Sequence, residues 1–427
     1  MSDRRIQSHE PFSPARRRLM VATSFVTLAG VGYAMRQQWL GDGLRNDCRA
    51  ELPPALARHE LVAATWAGLD PANVWDSHVH LVGTGDSGSG ITVNSAMSSP
   101  GNPRLYAQFL FYLNASCVHD APGRVDDTYV ARLLNLIDAM PTGFKALLFS
   151  FDAAHSLAGQ KDREQTMFEV PSDHVAEIAR LYPRQFEWVA SIHPYRPDAI
   201  DALKRAAMRG ARAVKWLPNA MLIDPSSRRC DTFYAALVAL DLPLISHGGA
   251  EMAVHSPQGQ SLGNPLLLRR ALEAGVRVVI AHCASLGEDI DLDQGAAGPV
   301  VPAFQLFARL MDEPRHAGRV FGDLSAVVLR NRDPAILRTL LTRDDWHDRL
   351  INGSDYPLPG ILPLVLLDRF VGQGLLAESA VQPLREIREH NPLLFDLALK
   401  RQITHQAKRW PPSVFNTRRH FDRTLRA

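Results

Sequence analysis

Val74-Trp75-Asp76-Ser77-His78-Val79-His80-Leu81 is the stretch on which the reading of this chain turns. It reads as a buried strand that ends in His78-X-His80. Residues two apart on a strand leave it on the same face. Both imidazoles therefore project in one direction, which is how two nitrogen ligands are offered to one borderline cation such as zinc. Gly83, Gly85, Gly88 and Gly90 follow at once, so the strand opens into a loop. In α/β proteins, sites form where the carboxyl ends of strands meet their loops. An H-x-H pair alone is an unspecific motif, and two incidental histidines on a core strand would look the same. Its meaning rests on what the other strand ends carry.

From residue 72 onward, short apolar runs alternate with longer helix-like segments. After the first strand, further strands are expected at 144–151, 187–193, 211–217, 242–247, 276–282, 319–324 and 349–354. Between them lie helix patterns such as 197–208, with Pro197 in the first turn and an apolar stripe at 3.6-residue spacing. Eight strand–helix units predict a parallel (β/α)8 TIM-like barrel. A doubly wound sheet would show a glycine-rich phosphate loop after a strand, and none is present. The segment between the first two strands, roughly 85–143, is longer than an ordinary connection. It carries Tyr106, Phe109, Phe111 and Tyr112 and is expected to cap the barrel mouth.

The strand ends can now be read together. His78 and His80 end the first strand, Lys215 lies on the fourth, His247 ends the fifth, His282 ends the sixth, and Asp355 follows the eighth. A barrel brings all these ends to one mouth. Nitrogen and oxygen donors from five strands converging there point to a metal site far more strongly than any one motif does. Asp76, two residues before His78, is expected to face inward one layer deeper, in a supporting role. His193 and Arg196, after the third strand, are candidates for binding a substrate carboxylate or phosphate. Asp152, His155, Glu251, His255 and Asp323 are weaker rim or pocket candidates, and Trp216 reads as packing.

This pattern resembles the amidohydrolase superfamily, in its amidohydrolase-related branch of metal-dependent hydrolases. The resemblance covers about residues 72 to 400. It is carried by Asp76-Ser77-His78-Val79-His80, Ala213-Val214-Lys215-Trp216-Leu217-Pro218, Ile245-Ser246-His247, Ile280-Ala281-His282, Gly353-Ser354-Asp355-Tyr356-Pro357 and His390-Asn391-Pro392-Leu393-Leu394-Phe395. It implies a distorted (β/α)8 barrel in which His78, His80, His247 and Asp355 hold metal, with Asp355 also the general base. His282 is then either a ligand of a second metal or a water-activating group. Lys215 stands where some members carry a carboxylated lysine bridging two metals; others in the branch use one. The resemblance of the C-terminal motifs favours one divalent ion, zinc or else manganese, with two if Lys215 is carboxylated. The implied reaction is hydrolysis of an amide, lactone or other ester-type bond of a small molecule by metal-activated water. A decarboxylase or lyase on the same barrel is the alternative, as is a barrel that has lost catalysis and serves as an anchored binding protein.

The rest of the chain frames this barrel. Of 427 residues, 46% are hydrophobic and 22% charged, and the net charge is +2, ordinary for a globular protein. No basic stripe with interleaved aromatics appears, so no nucleic-acid partner is expected. Residues 1–18 form a basic N-terminal tail. Residues 19–35, Leu19 to Met35, form an uncharged run behind Arg16-Arg17-Arg18. That run reads as an uncleaved membrane anchor, a cleaved export signal or a buried helix. The first two readings place the main domain outside the cytoplasm. Residues 36–71 read as linker and lead-in, 72–402 as the barrel, and 403–427 as a basic C-terminal tail. Cys48, Cys117, Cys230 and Cys283 are widely spaced with no C-x-x-C, and all are expected to be small buried apolar residues.

Overall fold

Each apolar run contributes a strand: β1 (Trp75–His80), β2 (Lys145–Phe149), β3 (Phe186–Val189), β4 (Val214–Trp216), β5 (Leu244–His247), β6 (Val278–Ala281), β7 (Val320–Asp323) and β8 (Leu350–Ile351). In this computed structural model, residues 46, 48–49, 51–118, 121–254 and 256–426 are described. The basic tail at 1–18 and the anchor or signal run at 19–35 lie outside the described residues. Among the described residues no helix is long and apolar enough to cross a membrane.

The strands pair in parallel in chain order, β1 to β3 in one arc and β4 to β8 in the other. Parallel bridges Ala190–Val214 and Val79–Tyr356 join the arcs into a closed barrel. Trp75, Leu147, Phe149, Val189, Ala213, Ile245, Val279, Ile351 and Phe421 pack together as a core separate from the larger one around it. This is the filled interior that a barrel of this size requires.

One irregularity in β1 matters for the site. Its register against β2 shifts between Asp76 and Val79, where three steps on β1 face two on β2. Such a bulge breaks the two-residue alternation and re-aims the side chains beyond it. Trp75 therefore occupies the interior. Asp76, expected to point inward below His78, instead accepts hydrogen bonds from the backbone N–H of His78 (3.2 Å) and Ser354 (2.8 Å). It ties β1 to the chain leaving β8.

The elements flanking the barrel are packed against it. In the lead-in, helix Glu60–Trp66 sets Trp66 edge-on against Phe144, with ring centroids 6.1 Å apart. Asn391 caps helix Pro392–Gln402, accepting from the N–H groups of Leu393 and Leu394. Residues 403–426, read from sequence as a basic tail, fold under the barrel instead. Trp410, Val414 and Phe415 are buried, Phe421 joins the interior core, and the Thr417 hydroxyl accepts from Trp75 N–H at 2.8 Å. The charged residues counted there hide an apolar set at irregular spacing.

Two of the four cysteines also depart from expectation. Cys48 and Cys117 form a disulfide with Cα atoms 5.5 Å apart, while Cys230 and Cys283 are free and buried. The bond spans 69 residues and anchors the C-terminal end of helix Pro103–Ala115. Closing so long a loop restricts the unfolded chain, so Cys48→Ser is expected to cost about 2–4 kcal/mol of stability. Urea denaturation of the oxidised and reduced protein checks this; superimposable curves would contradict it.

Candidate active site

The bulge in β1 delivers His78 and His80 to one point. Their Nε2 atoms lie 3.2 Å apart, and Asp355 Oδ1 lies 3.4 Å from the first and 3.1 Å from the second. The three donor atoms form a group of the kind that holds a metal ion. Two site residues adopt left-handed backbone: Asp355 at φ 62° and His282 at φ 57°, the latter followed by Cys283 at 51° and Ala284 at 47°. Such conformations are uncommon outside glycine and persist where the surroundings impose them, typically at functional sites.

A hydrogen-bond network behind the histidines fixes their tautomers. His78 Nδ1 is 2.5 Å from Asp323 Oδ2, to which it donates. Asp323 is held by Ser325, whose N–H and hydroxyl both donate to it at 2.7 Å. His282 Nδ1 lies 3.1 Å from the Ser325 carbonyl and donates to it. Both rings thus carry their proton on Nδ1, and His78 turns an unprotonated Nε2 toward His80 and Asp355, the form a metal ligand needs. Burial, reinforced by the Lys215 charge, lowers His78 to about 3; burial lowers His282 to about 4 despite the Asp355 carboxylate. Burial alone would raise Asp355, but His282, His78 and His80 outweigh it and hold it well below the usual carboxylate range. His78 and His282 are therefore neutral imidazoles and Asp355 an ionised carboxylate.

That donor set suits a divalent cation. Two imidazole nitrogens and a carboxylate oxygen brought to one point match the ligands preferred by zinc and similar ions. His78, His80 and Asp355 would hold it.

Lys215 is buried on β4, with Nζ 3.4 Å from His78 Nε2 and 5.1 Å from the centre of the Phe149 ring. Burial lowers it to about 8, against the pull of Asp323, Asp355 and Glu251. His247 stacks edge-on to His282 at 5.1 Å between ring centres, but the protein engages both its nitrogens. Nε2 donates to the Ala250 carbonyl at 3.3 Å, and Nδ1 faces Glu251 Oε2 at 3.4 Å. It lines the cavity without joining the donor group of His78, His80 and Asp355.

His193 and Arg196 are placed elsewhere. His193 Nε2 donates to the Met221 carbonyl at 2.9 Å, and its Nδ1 accepts from Tyr195 N–H at 3.2 Å. Arg196 pairs with Asp152 and Asp198, each at 2.9 Å. Neither lines the cavity above the donor cluster, and their polar atoms are spent on fixing the loop after β3. His255 lies outside the described residues.

The cavity above His78, His80, Lys215, His282 and Asp355 has aromatic walls. Met97, Phe109 and Tyr112 come from the long segment after β1, and Phe149, Phe151 and Phe168 from β2 and beyond. A second cavity shares Tyr112, His247, Glu251, His282 and Asp355 with it and adds Arg332 from the loop after β7. Glu251 is buried here and raised to about 7 by that burial, although Val254 and Ala253 N–H groups donate to it. Arg332 and Ser325 escaped the sequence reading, because single polar residues in the loop after β7 match no motif.

Gly353 explains part of the Gly353-Ser354-Asp355 motif. A Cβ there would lie 2.7 Å from His78 Cβ and 2.9 Å from Ser77 Oγ. Gly353→Ala is expected to push His78 off its position and cost about 1–3 kcal/mol through overpacking. Chemical denaturation measures the cost, and a variant of native stability would refute the tight fit.

The comparison with known families bears directly on these residues. The profile of the family described as Amidohydrolase matches residues 75–360. The chain belongs to the amidohydrolase family. That family is divalent-metal dependent, in keeping with the donor cluster of this amidohydrolase. A search of curated proteins finds no match. Among solved structures, an uncharacterised TIM-barrel protein from Bordetella bronchiseptica aligns at 16% identity over 73% of this chain and 98% of its own, with TM-score 0.45. A putative 2-pyrone-4,6-dicarboxylic acid hydrolase from Pseudomonas putida aligns at 16% identity over 76% and 97%, with TM-score 0.40. A 5-carboxyvanillate decarboxylase from Novosphingobium aromaticivorans aligns at 14% identity over 80% and 96%, with TM-score 0.41.

Proposed function

We propose that this amidohydrolase is a metal-dependent hydrolase that cleaves an amide, lactone or other ester-type bond of a small molecule. The observation that carries the reading is the meeting of His78 Nε2, His80 Nε2 and Asp355 Oδ1 within 3.4 Å at the base of an aromatic cavity. When bound there, a divalent cation, zinc or manganese, lowers the pKa of water and polarises an acyl oxygen. Asp355, ionised at neutral pH, takes the proton of the attacking water and returns it to the leaving group. His282, neutral with its proton on Nδ1 and lining the cavity beside Asp355, polarises the attacking water or the substrate. Lys215 presents an amine at the base of the cavity, where it attracts an electron-rich group of the substrate. The long segment after β1 caps the mouth and excludes water. Metal analysis of the purified protein, followed by a panel of lactones, amides, phosphoesters and carboxylates, tests the reading. Carbon dioxide release from a carboxylate, with no ester or amide cleaved, would assign the site to decarboxylation instead.

For location, the reading is an extracytoplasmic domain, anchored by 19–35 or exported through it. Two observations support it: Arg16-Arg17-Arg18 ahead of the uncharged run, and the Cys48–Cys117 disulfide, a bond that persists in oxidising compartments. The full-length chain is expected to fractionate with membranes or outside the cytoplasm, and a chain starting near residue 45 to be soluble. Recovery of the full-length chain wholly in the cytosolic fraction would rule this out.

A further inference from the structure

Helix Pro392–Gln402 buries an ion pair among apolar neighbours. The side chains of Lys400 and Asp396 are 0% and 2% exposed, and Lys400 Nζ donates to Asp396 Oδ2 at 2.6 Å, one helical turn away. Leu393, Leu394, Phe395, Leu397, Ala398 and Leu399 are buried on the same helix. A buried pair of this kind adds little stability over well-packed apolar residues of similar volume. Stability alone therefore does not account for it, but the second contact of Lys400 does. Nζ also donates to the carbonyl oxygen of Gly353, at 2.6 Å.

Gly353 lies in the short segment that carries Asp355 away from β8. That strand ends at Ile351, so the segment is held by single contacts rather than by a ladder. From β1, the Ser77 N–H and hydroxyl donate to the Asn352 carbonyl at 3.3 and 2.9 Å. Ser354 N–H donates to Asp76 at 2.8 Å, and Asp355 N–H to the His78 carbonyl at 2.9 Å. Lys400 holds the same segment from the helix that follows the barrel. Glycine sets little steric limit on its own φ and ψ, so a Gly353 peptide left free to turn would carry the Asp355 carboxylate with it. Neither Lys400 nor Asp396 lines the cavity above the donor group, so neither touches the reacting atoms.

We propose that Lys400 is a positioning residue for this site: it clamps the Gly353 carbonyl, is itself held by Asp396, and so fixes where Asp355 meets His78 and His80. This rests on reading His78, His80 and Asp355 as the metal donors. A donor set of this kind works only within narrow geometric limits, which is why outer contacts affect the metal.

The test uses full-length protein stripped of metal and reloaded with cobalt(II), whose visible absorption reports the geometry of its donors. Lys400→Met combined with Asp396→Leu removes both charges and fills their space with apolar groups, so it should melt near the native temperature. Its cobalt affinity is expected to fall about 10-fold, as for other outer contacts of metal sites, with an altered absorption band. Lys400→Met alone should also melt lower, because it strands Asp396. A purely structural pair predicts native affinity and absorption wherever the fold is intact, and finding both in the double variant would overturn the proposal. Should the double variant fail to fold, Lys400→Gln takes its place. It is neutral and one atom shorter, so it keeps a partner for Asp396 and withdraws from Gly353; native affinity and absorption there would overturn the proposal equally. The substrate panel separates the two readings. Weakened cobalt binding in the variants, with no amide or ester cleaved by the native protein, counts against the hydrolase reading alone. A working metal-dependent hydrolase whose double variant binds cobalt as the native protein does counts against this inference alone. A native protein that takes up neither cobalt nor zinc would overturn both.

Discussion

Asp355→Asn is expected to keep the fold and lower turnover by about 10²–10⁴ or more, the range for loss of a general acid–base group, since a metal donor is perturbed as well. The substitution is nearly isosteric, so packing around the residue is retained. The carboxamide cannot take a proton from water at neutral pH, and as a neutral group it is a poorer partner for a cation. In the native protein the carboxylate is pinned between three imidazoles, 3.4 Å from His78, 3.1 Å from His80 and 3.9 Å from His282. Those contacts hold it ionised against burial. Steady-state kinetics on a substrate found in the panel, with a melting curve to show the fold intact, decide the matter. Near-native turnover would remove Asp355 from the mechanism.

The second expected result is one tightly held divalent ion per chain, with Asp323→Asn lowering its affinity about 10- to 100-fold. Asp323 touches no proposed donor position; it acts through His78. Its carboxylate holds the Nδ1 proton at 2.5 Å and so keeps Nε2 free to bind. An asparagine there offers a weaker acceptor and lets the ring change tautomer or rotate. The single-ion expectation follows from His247. For a second ion, His247 and His282 would have to present free nitrogens together, yet His247 spends its own on the Ala250 carbonyl and Glu251. The Lys215 amine, at about 8, does have a neutral fraction able to add carbon dioxide, so its carbamate form is open to test. Elemental analysis after dialysis answers both points. Two ions per chain, with one lost in Lys215→Ala, would establish the carbamate-bridged pair; unchanged affinity in Asp323→Asn would dismiss the tautomer lock.

Much of this protein is written locally in its chain. The eight strands were legible because a barrel strand is a short apolar run between loops, and each run carries that signature whatever its neighbours do. The convergence of His78, His80, Lys215, His282 and Asp355 was legible too, since a parallel barrel sends every strand's carboxyl end to one mouth. The tertiary structure decided whatever depends on partners distant in sequence. Alternation along β1 placed Asp76 inward, and a bulge set by pairing with β2 put Trp75 there instead. Composition made residues 403–427 a basic tail, whereas Trp410, Phe415 and Phe421 find apolar surface only once the barrel exists. Cys48 and Cys117 are joined across 69 residues, a pairing that spacing cannot reveal. His247 ends β5 and His282 follows β6 one residue beyond the level of His247, but their contacts differ: His247 Nε2 donates to the Ala250 carbonyl with Nδ1 facing Glu251, whereas His282 Nδ1 donates to the Ser325 carbonyl. Arg332 belongs to no motif, and only its burial, with Nε and Nη1 unpaired among the described residues, marks it out. Periodicity and residue type act over a few residues and determine the elements and the mouth they share. Which nitrogen is free, which charge is unpaired and which side chain a bulge re-aims are properties of contacts, and contacts exist only in the closed barrel.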